Sequence, residues 1–94
     1  MERTFDINIM TGQAVVYSGK ISSLIVPSAN GYLGVLADHA PLVSALKAGK
    51  ITLKDTFGKS LIFNAEGEGI LHVLRNDVTI LYPRADSLHP IVFM

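Results

Sequence analysis

Apolar residues in this chain recur mostly at every second position, in short runs that each close on a turn-forming cluster. Phe5, Ile7 and Ile9 alternate with Asp6, Asn8 and Met10, the period of a half-buried strand. Ile51 and Leu53 oppose Thr52 and Lys54; Leu61, Phe63 and Ala65 alternate with Ser60, Ile62 and Asn64. Leu71 and Val73 flank His72, and Val78, Ile80 and Tyr82 complete a last hairpin. Between the runs stand Thr11-Gly12-Gln13, Pro27-Ser28-Ala29-Asn30-Gly31, Asp55-Thr56-Phe57-Gly58, Glu66-Gly67-Glu68-Gly69 and Arg75-Asn76-Asp77. No segment sustains a helical period. Roughly nine or ten short strands, with turn signals about every 8–12 residues, specify an all-β sandwich or barrel.

Two places resist a simple reading. Ala14–Ser18 and Lys20–Val26 read as separate strands divided by Gly19, the second with Ile21 and Ile25 on one face and Leu24 and Val26 on the other. Apolar residues on both faces imply that both are covered. Leu42–Leu46 fits either a strand or one helical turn. In Tyr32–Leu36, the interior Gly34 predicts a bulge or the close approach of another backbone. The domain reads as residues 1–86, with a short apolar tail at 87–94. Pro83 and Pro90 argue against a helix there. Ile91 to Met94 can fold back on the sandwich, add to a sheet edge or stay disordered.

Eight basic and eight acidic residues cancel, so no cationic excess exists for phosphate contacts and a nucleic-acid partner is not expected. Charged residues are only 17 % of the chain and apolar ones 49 %, so some apolar side chains are expected on the surface, where a contiguous patch marks a partner interface. There is no cysteine, and no apolar run approaches the ~20 residues of a membrane span. His39, His72 and His89 lie on different elements with no ligand spacing, so no metal is expected. Asp38-His39 fails as half of a triad, because neighbours on extended chain point to opposite faces and no nucleophile elbow exists. Glu66 and Glu68 share a face by parity but read as a solvated turn, and Gly67-x-Gly69 is too short for a phosphate loop. Neither catalysis nor a cofactor is expected.

What remains is the stretch Val26–Gly49, which sets Asn30-Gly31-Tyr32-Leu33-Gly34-Val35 and His39-Ala40-Pro41-Leu42 ahead of an apolar run ending in Lys47-Ala48-Gly49. This pattern closely resembles the epsilon subunit of F-type ATP synthase, called delta in mitochondria. Phe5–Ile9 through Tyr17-Ser18-Gly19 is similar to that family's opening hairpin, and Glu68–Val73 and Asn76–Leu81 to its closing strands. The resemblance covers about Phe5 to Asp86. It implies a ten-stranded β-sandwich, a non-catalytic rotor part of the central stalk that couples the gamma subunit to the membrane ring of c subunits. Carried over by position, Thr11, Leu42, Val43 and Ser44 would face gamma; Asn30, Gly31, Tyr32, His39, Ala40 and Pro41 would face the c-ring. It also implies a peripheral place on the cytoplasmic face of a bacterial inner membrane, or on the matrix or stromal side in an organelle, without insertion into the bilayer.

The chain departs from the family at three points. Many members carry an acid in place of Tyr32 and Pro-Gly in place of Ala37-Asp38. The exchange of an acid for tyrosine replaces a charge contact with an aromatic anchor, a type enriched at interface hot spots. The family also usually continues into a C-terminal helical hairpin, which in some members binds ATP through Asp-x-x-Arg-Ala. No such motif occurs through Met94, so the expectation is a short form without the hairpin, without ATP binding and without helix-mediated inhibition. The rival expectation is a free-standing β-sandwich that binds a protein or small ligand.

Overall fold

The computed structural model describes residues 3–12 and 14–91. Among them are nine strands and no helix: β1 (Phe5–Thr11), β2 (Ala14–Ser28), β3 (Gly31–Val35), β4 (Leu42–Leu46), β5 (Gly49–Asp55), β6 (Ser60–Ala65), β7 (Gly69–Leu74), β8 (Asp77–Tyr82) and β9 (Leu88–Ile91). The fold is all-β, and the strand number matches the roughly nine or ten expected by a different division of the chain. Leu42–Leu46 is a strand. Gly19 does not interrupt β2, which runs unbroken for 15 residues. The added strand comes from the tail.

β2 belongs to two layers at once. Its first half, Ala14–Ile21, pairs with β1. Its second half pairs with β5 along one edge and with β3 along the other. One layer is therefore β3-β2-β5-β6-β9 and the other β4-β7-β8-β1-β2, with β1 and β8 running parallel. Strands that change sheet at a bulge make the corners of such sandwiches. The change falls at Ser22, where Ile21 pairs with Asp55 and Ser23 already with Lys54. One extra residue reverses the side-chain parity. Ile21, Leu24 and Val26 are consequently all buried, while Ile25 is 45 % exposed. This corrects the expected grouping of Ile21 with Ile25: strict alternation could not anticipate the bulge. The buried Ser22 hydroxyl lies 3.3 Å from the Lys54 carbonyl it donates to. Gly34 pairs with Ile25 in regular register, and nothing lies within 4 Å of where its Cβ would stand. The expected bulge or close approach there does not occur.

The core lies between the layers. Phe5, Ile7, Ile9, Leu71, Val73, Val78 and Ile80 come from one, and Leu24, Val26, Ile51, Leu53 and Phe63 from the other. Tyr17 closes one side with its ring edge-on to Phe63 at 6.4 Å. Pairing continues past residue 86. Ser87 is buried, its carbonyl accepts from the Glu66 amide at 2.8 Å, and Leu88–Ile91 runs antiparallel to β6. Pro90 fits because β9 is an edge strand, where a missing donor is tolerated. Ile91 thus adds to a sheet edge; Val92, Phe93 and Met94 lie outside the described residues.

Candidate protein-binding surfaces

The outer face of the β4-β7-β8-β1-β2 layer follows from its registers. Ala45 stands opposite Ile70, Ile70 opposite Leu81, Leu81 opposite Met10, and Met10 opposite Val15. Leu46, Leu71, Ile80, Tyr82, Ile9 and Thr11, the alternates on the four strands from β4 to β1, are buried, so with Val15 on β2 this is one apolar row across five strands, about 19 Å long at the usual strand spacing of ~4.8 Å. Ile70 is 44 % and Val15 59 % exposed. The next row is Val43, His72, Thr79, Asn8 and Ser18, and the third holds Leu74, Asp77, Asp6 and Lys20. The Lys20 ammonium pairs with Asp6 at 3.0 Å in that third row. The face therefore grades from apolar to charged.

The residues expected at the gamma side divide by parity. Val43 points outward and is 62 % exposed. Leu42 turns inward and packs against the core, and Ser44 shares its parity. Thr11, at the end of β1 beside Tyr82, is 5 % exposed. Met10, Ile70 and Leu81 on the same face were not singled out from the sequence. Their signal was the apolar residue at the outward position of each strand, visible only once the registers stack those positions side by side.

The residues expected at the c-ring side fall at the two ends of β3. Asn30, Gly31 and Tyr32 form its entry. Tyr32 is 61 % exposed, and its hydroxyl accepts from the Lys50 amide at 3.2 Å. Gly49 permits this arrangement: a Cβ there would lie 2.8 Å from the Pro27 Cβ and 2.9 Å from the Tyr32 hydroxyl. Ser28 closes the turn by donating its hydroxyl to the Gly31 carbonyl. His39, Ala40 and Pro41 follow the exit of β3, about 13 Å away along a strand of that length. They line a recess of ≈ 300 Å³ with Asp38, Arg75 and Asn76.

Asp38 and His39 do not act on each other. The Asp38 carboxylate pairs with Arg3 at 2.7 Å and accepts from Asn76. His39 Nδ1 sits 2.7 Å from the Ala40 carbonyl, which can only accept, so Nδ1 carries the proton and a neutral ring leaves Nε2 as an acceptor. His72 is exposed on the outer face. His89 lies 3.1 Å from Glu66, and Glu68 is exposed. Among the described residues no three His, Cys, Asp or Glu side chains gather as a metal site would require.

The architecture is an all-β sandwich with an apolar outer row and two shaped loop ends. Residues 4–87 match the family model of the β-sandwich domain of the ATP synthase delta/epsilon chain. The chain is 36 % identical over 86 residues to an ATP synthase epsilon chain of Desulforamulus reducens, covering 92 % of this chain and 64 % of that one. It is 34 % identical to an epsilon chain of Chlorobium limicola, covering 85 % and 90 %, and 44 % identical over 62 residues to one of Chlorobaculum tepidum, covering 60 % and 70 %. In fold it is similar to a chain of the Euglena gracilis mitochondrial ATP synthase, with TM-score 0.82, 19 % identity and coverage of 93 % and 53 %. A chain in the central stalk and c-ring structure of the Tetrahymena thermophila enzyme gives TM-score 0.70, 14 % identity and coverage of 94 % and 67 %. The chain belongs to the ATP synthase delta/epsilon β-sandwich family.

Proposed function

We propose that this chain is a non-catalytic, peripheral rotor subunit of an F-type ATP synthase, joining the gamma subunit to the c-ring. Family membership supports the complex, and the apolar row Val15–Met10–Leu81–Ile70–Ala45 carries the assignment of a face to gamma. Burying such a row removes apolar surface from water at roughly 25 cal/mol per Å². Val43, in the adjacent row, extends that surface and joins the expected gamma contacts to it. Thr11 and Leu42 support the face from beneath, since their side chains lie inside, and Ser44 shares the parity of Leu42. The c-ring side is assigned to the loop ends of β3, with Asn30, Gly31 and Tyr32 at one end and His39, Ala40 and Pro41 at the other. Among the described residues no helix is long and apolar enough to cross a membrane, in keeping with a peripheral place. The cytoplasmic side of a bacterial inner membrane, or its organellar equivalent, is part of the same reading.

Co-expression with the gamma subunit of the same organism tests it. The chain should co-purify with gamma, and Ile70→Asp should weaken the pair at least about ten-fold, as for loss of a central apolar anchor. A chain that purifies alone as a monomer beside soluble, folded gamma would instead favour the free-standing binding module.

A further inference from the structure

Asp38 and Arg75 are the non-glycine residues at positive φ among those described, at 65° and 57°. Both line the recess that also holds His39. A left-handed conformation is disfavoured for residues with a Cβ and persists where the surroundings hold it. At Asp38 the hold is explicit. Its amide donates to Asn76 Oδ1 at 2.6 Å, and its Oδ1 accepts from Asn76 Nδ2 at 3.0 Å. This closes a two-point ring between residues 38 positions apart. One side of the ring offers a donor and the other a carboxylate, which fixes the orientation of the Asn76 amide. The second carboxylate oxygen pairs with Arg3 at 2.7 Å. Asn76 is itself anchored, since its carbonyl accepts from the Asp6 amide at 2.9 Å. The turn between β7 and β8, the start of β1 and the N-terminal segment thus converge on one loop residue.

We propose that Asn76 is a positioning residue. With Asp38 it forms a brace that holds the His39-Ala40-Pro41 loop, and hence the width of the recess, in a single shape, while the exposed Arg3 pair lies beside the brace and adds little to it. The loop has little else to fix it. Apart from the brace, its backbone tie is the His39 amide to the Leu36 carbonyl at 3.2 Å. The brace belongs to the isolated chain; its value for c-ring binding rests on the reading above.

Amide hydrogen exchange by NMR on the full chain tests the brace. Asn76→Ala should speed exchange at Asp38 and His39 at least about ten-fold, leaving Leu24 and Ile51 unchanged, because local opening is governed by local contacts. Asp38→Ala should do the same. Asp38→Asn, which keeps the ring to Asn76 and loses the Arg3 pair, should change the rates by less than about three-fold, as an exposed ion pair allows. Arg3→Ala cannot disturb the core and should match Asp38→Asn. Exchange unchanged in Asn76→Ala, or equal in Asp38→Ala and Asp38→Asn, overturns the brace. Binding to c-ring in nanodiscs is read separately. Faster exchange with unaltered ring binding keeps the brace and removes this loop from the ring-facing side.

Discussion

The Tyr82 hydroxyl on β8 donates to the Lys47 carbonyl between β4 and β5 at 2.8 Å, stitching the last strand of one hairpin to the connection between the two layers. Tyr82 is fully buried. Burial first, and the Tyr32 phenol second, push its hydroxyl up to about 12 from 10.0.

Tyr82→Phe removes that donor and leaves the carbonyl without it. The expected cost is about 1 kcal/mol, read from urea unfolding at neutral pH. The ionisation has a definite sign. The unfolded chain loses the phenolic proton near 10 and the folded chain near 12, so the folded state binds more protons in between. Stability from this group is complete below pH 10 and falls as pH rises from there toward 12. Wild type should therefore lose more stability than Tyr82→Phe between about pH 9 and about pH 11.

Gly69 sits beneath the same ring. A Cβ there would stand 2.7 Å from the Leu81 carbonyl and 2.9 Å from the Tyr82 ring. Neither neighbour can swing aside, so Gly69→Ala should cost about 2 kcal/mol or more by overpacking. A thermal midpoint equal to wild type would contradict this geometry.

Leu42 and Val43 separate folding from binding. Leu42→Ala should lower stability by about 2 kcal/mol because the side chain packs on the core. Val43→Asp should leave stability within about 0.5 kcal/mol, as for an exposed position. It should weaken gamma capture about ten-fold or more if Val43 is part of the central docking area. Unfolding curves and pull-downs on both variants read the two effects independently.

Deleting Ser22 removes the extra residue of the bulge. Ile21, Ser23, Leu24, Ile25 and Val26 would then alternate without a break, each on its present face and the first four opposite their present β5 partners. What is lost is the local bend of the bulge and the Ser22 bond to the Lys54 carbonyl. The expected result is a chain that still unfolds cooperatively but is less stable than Ser22→Ala, which should lose about 1 kcal/mol.

The all-β class and most strands were legible because their alternation is local. Phe5-Ile7-Ile9 and Val78-Ile80-Tyr82 declare inward faces without help from a partner. The union of Ala14–Ser28 was not legible, since Gly19 is also a reasonable stop and the bulge at Ser22 depends on which residues β5 offers opposite it. Leu42 was legible as part of an apolar run but not as inward-facing; one register step decides between core and surface. The outer apolar row was dispersed as single residues over five strands. Asn76 was legible as part of a turn but not as a brace, because that role depends on a residue 38 positions away.

The shared strand has a mechanical consequence. In a sandwich of two separate sheets, the layers can slip past each other by repacking side chains alone. Here β2 threads both, so relative sliding has to strain a covalent backbone or unzip the ladders to β1 and β5. A twist applied at the face bearing Ile70 would therefore reach the turn bearing Tyr32 through main-chain bonds, with little elastic lag. Under the rotor role proposed above, that would make the domain a stiff washer more than a spring.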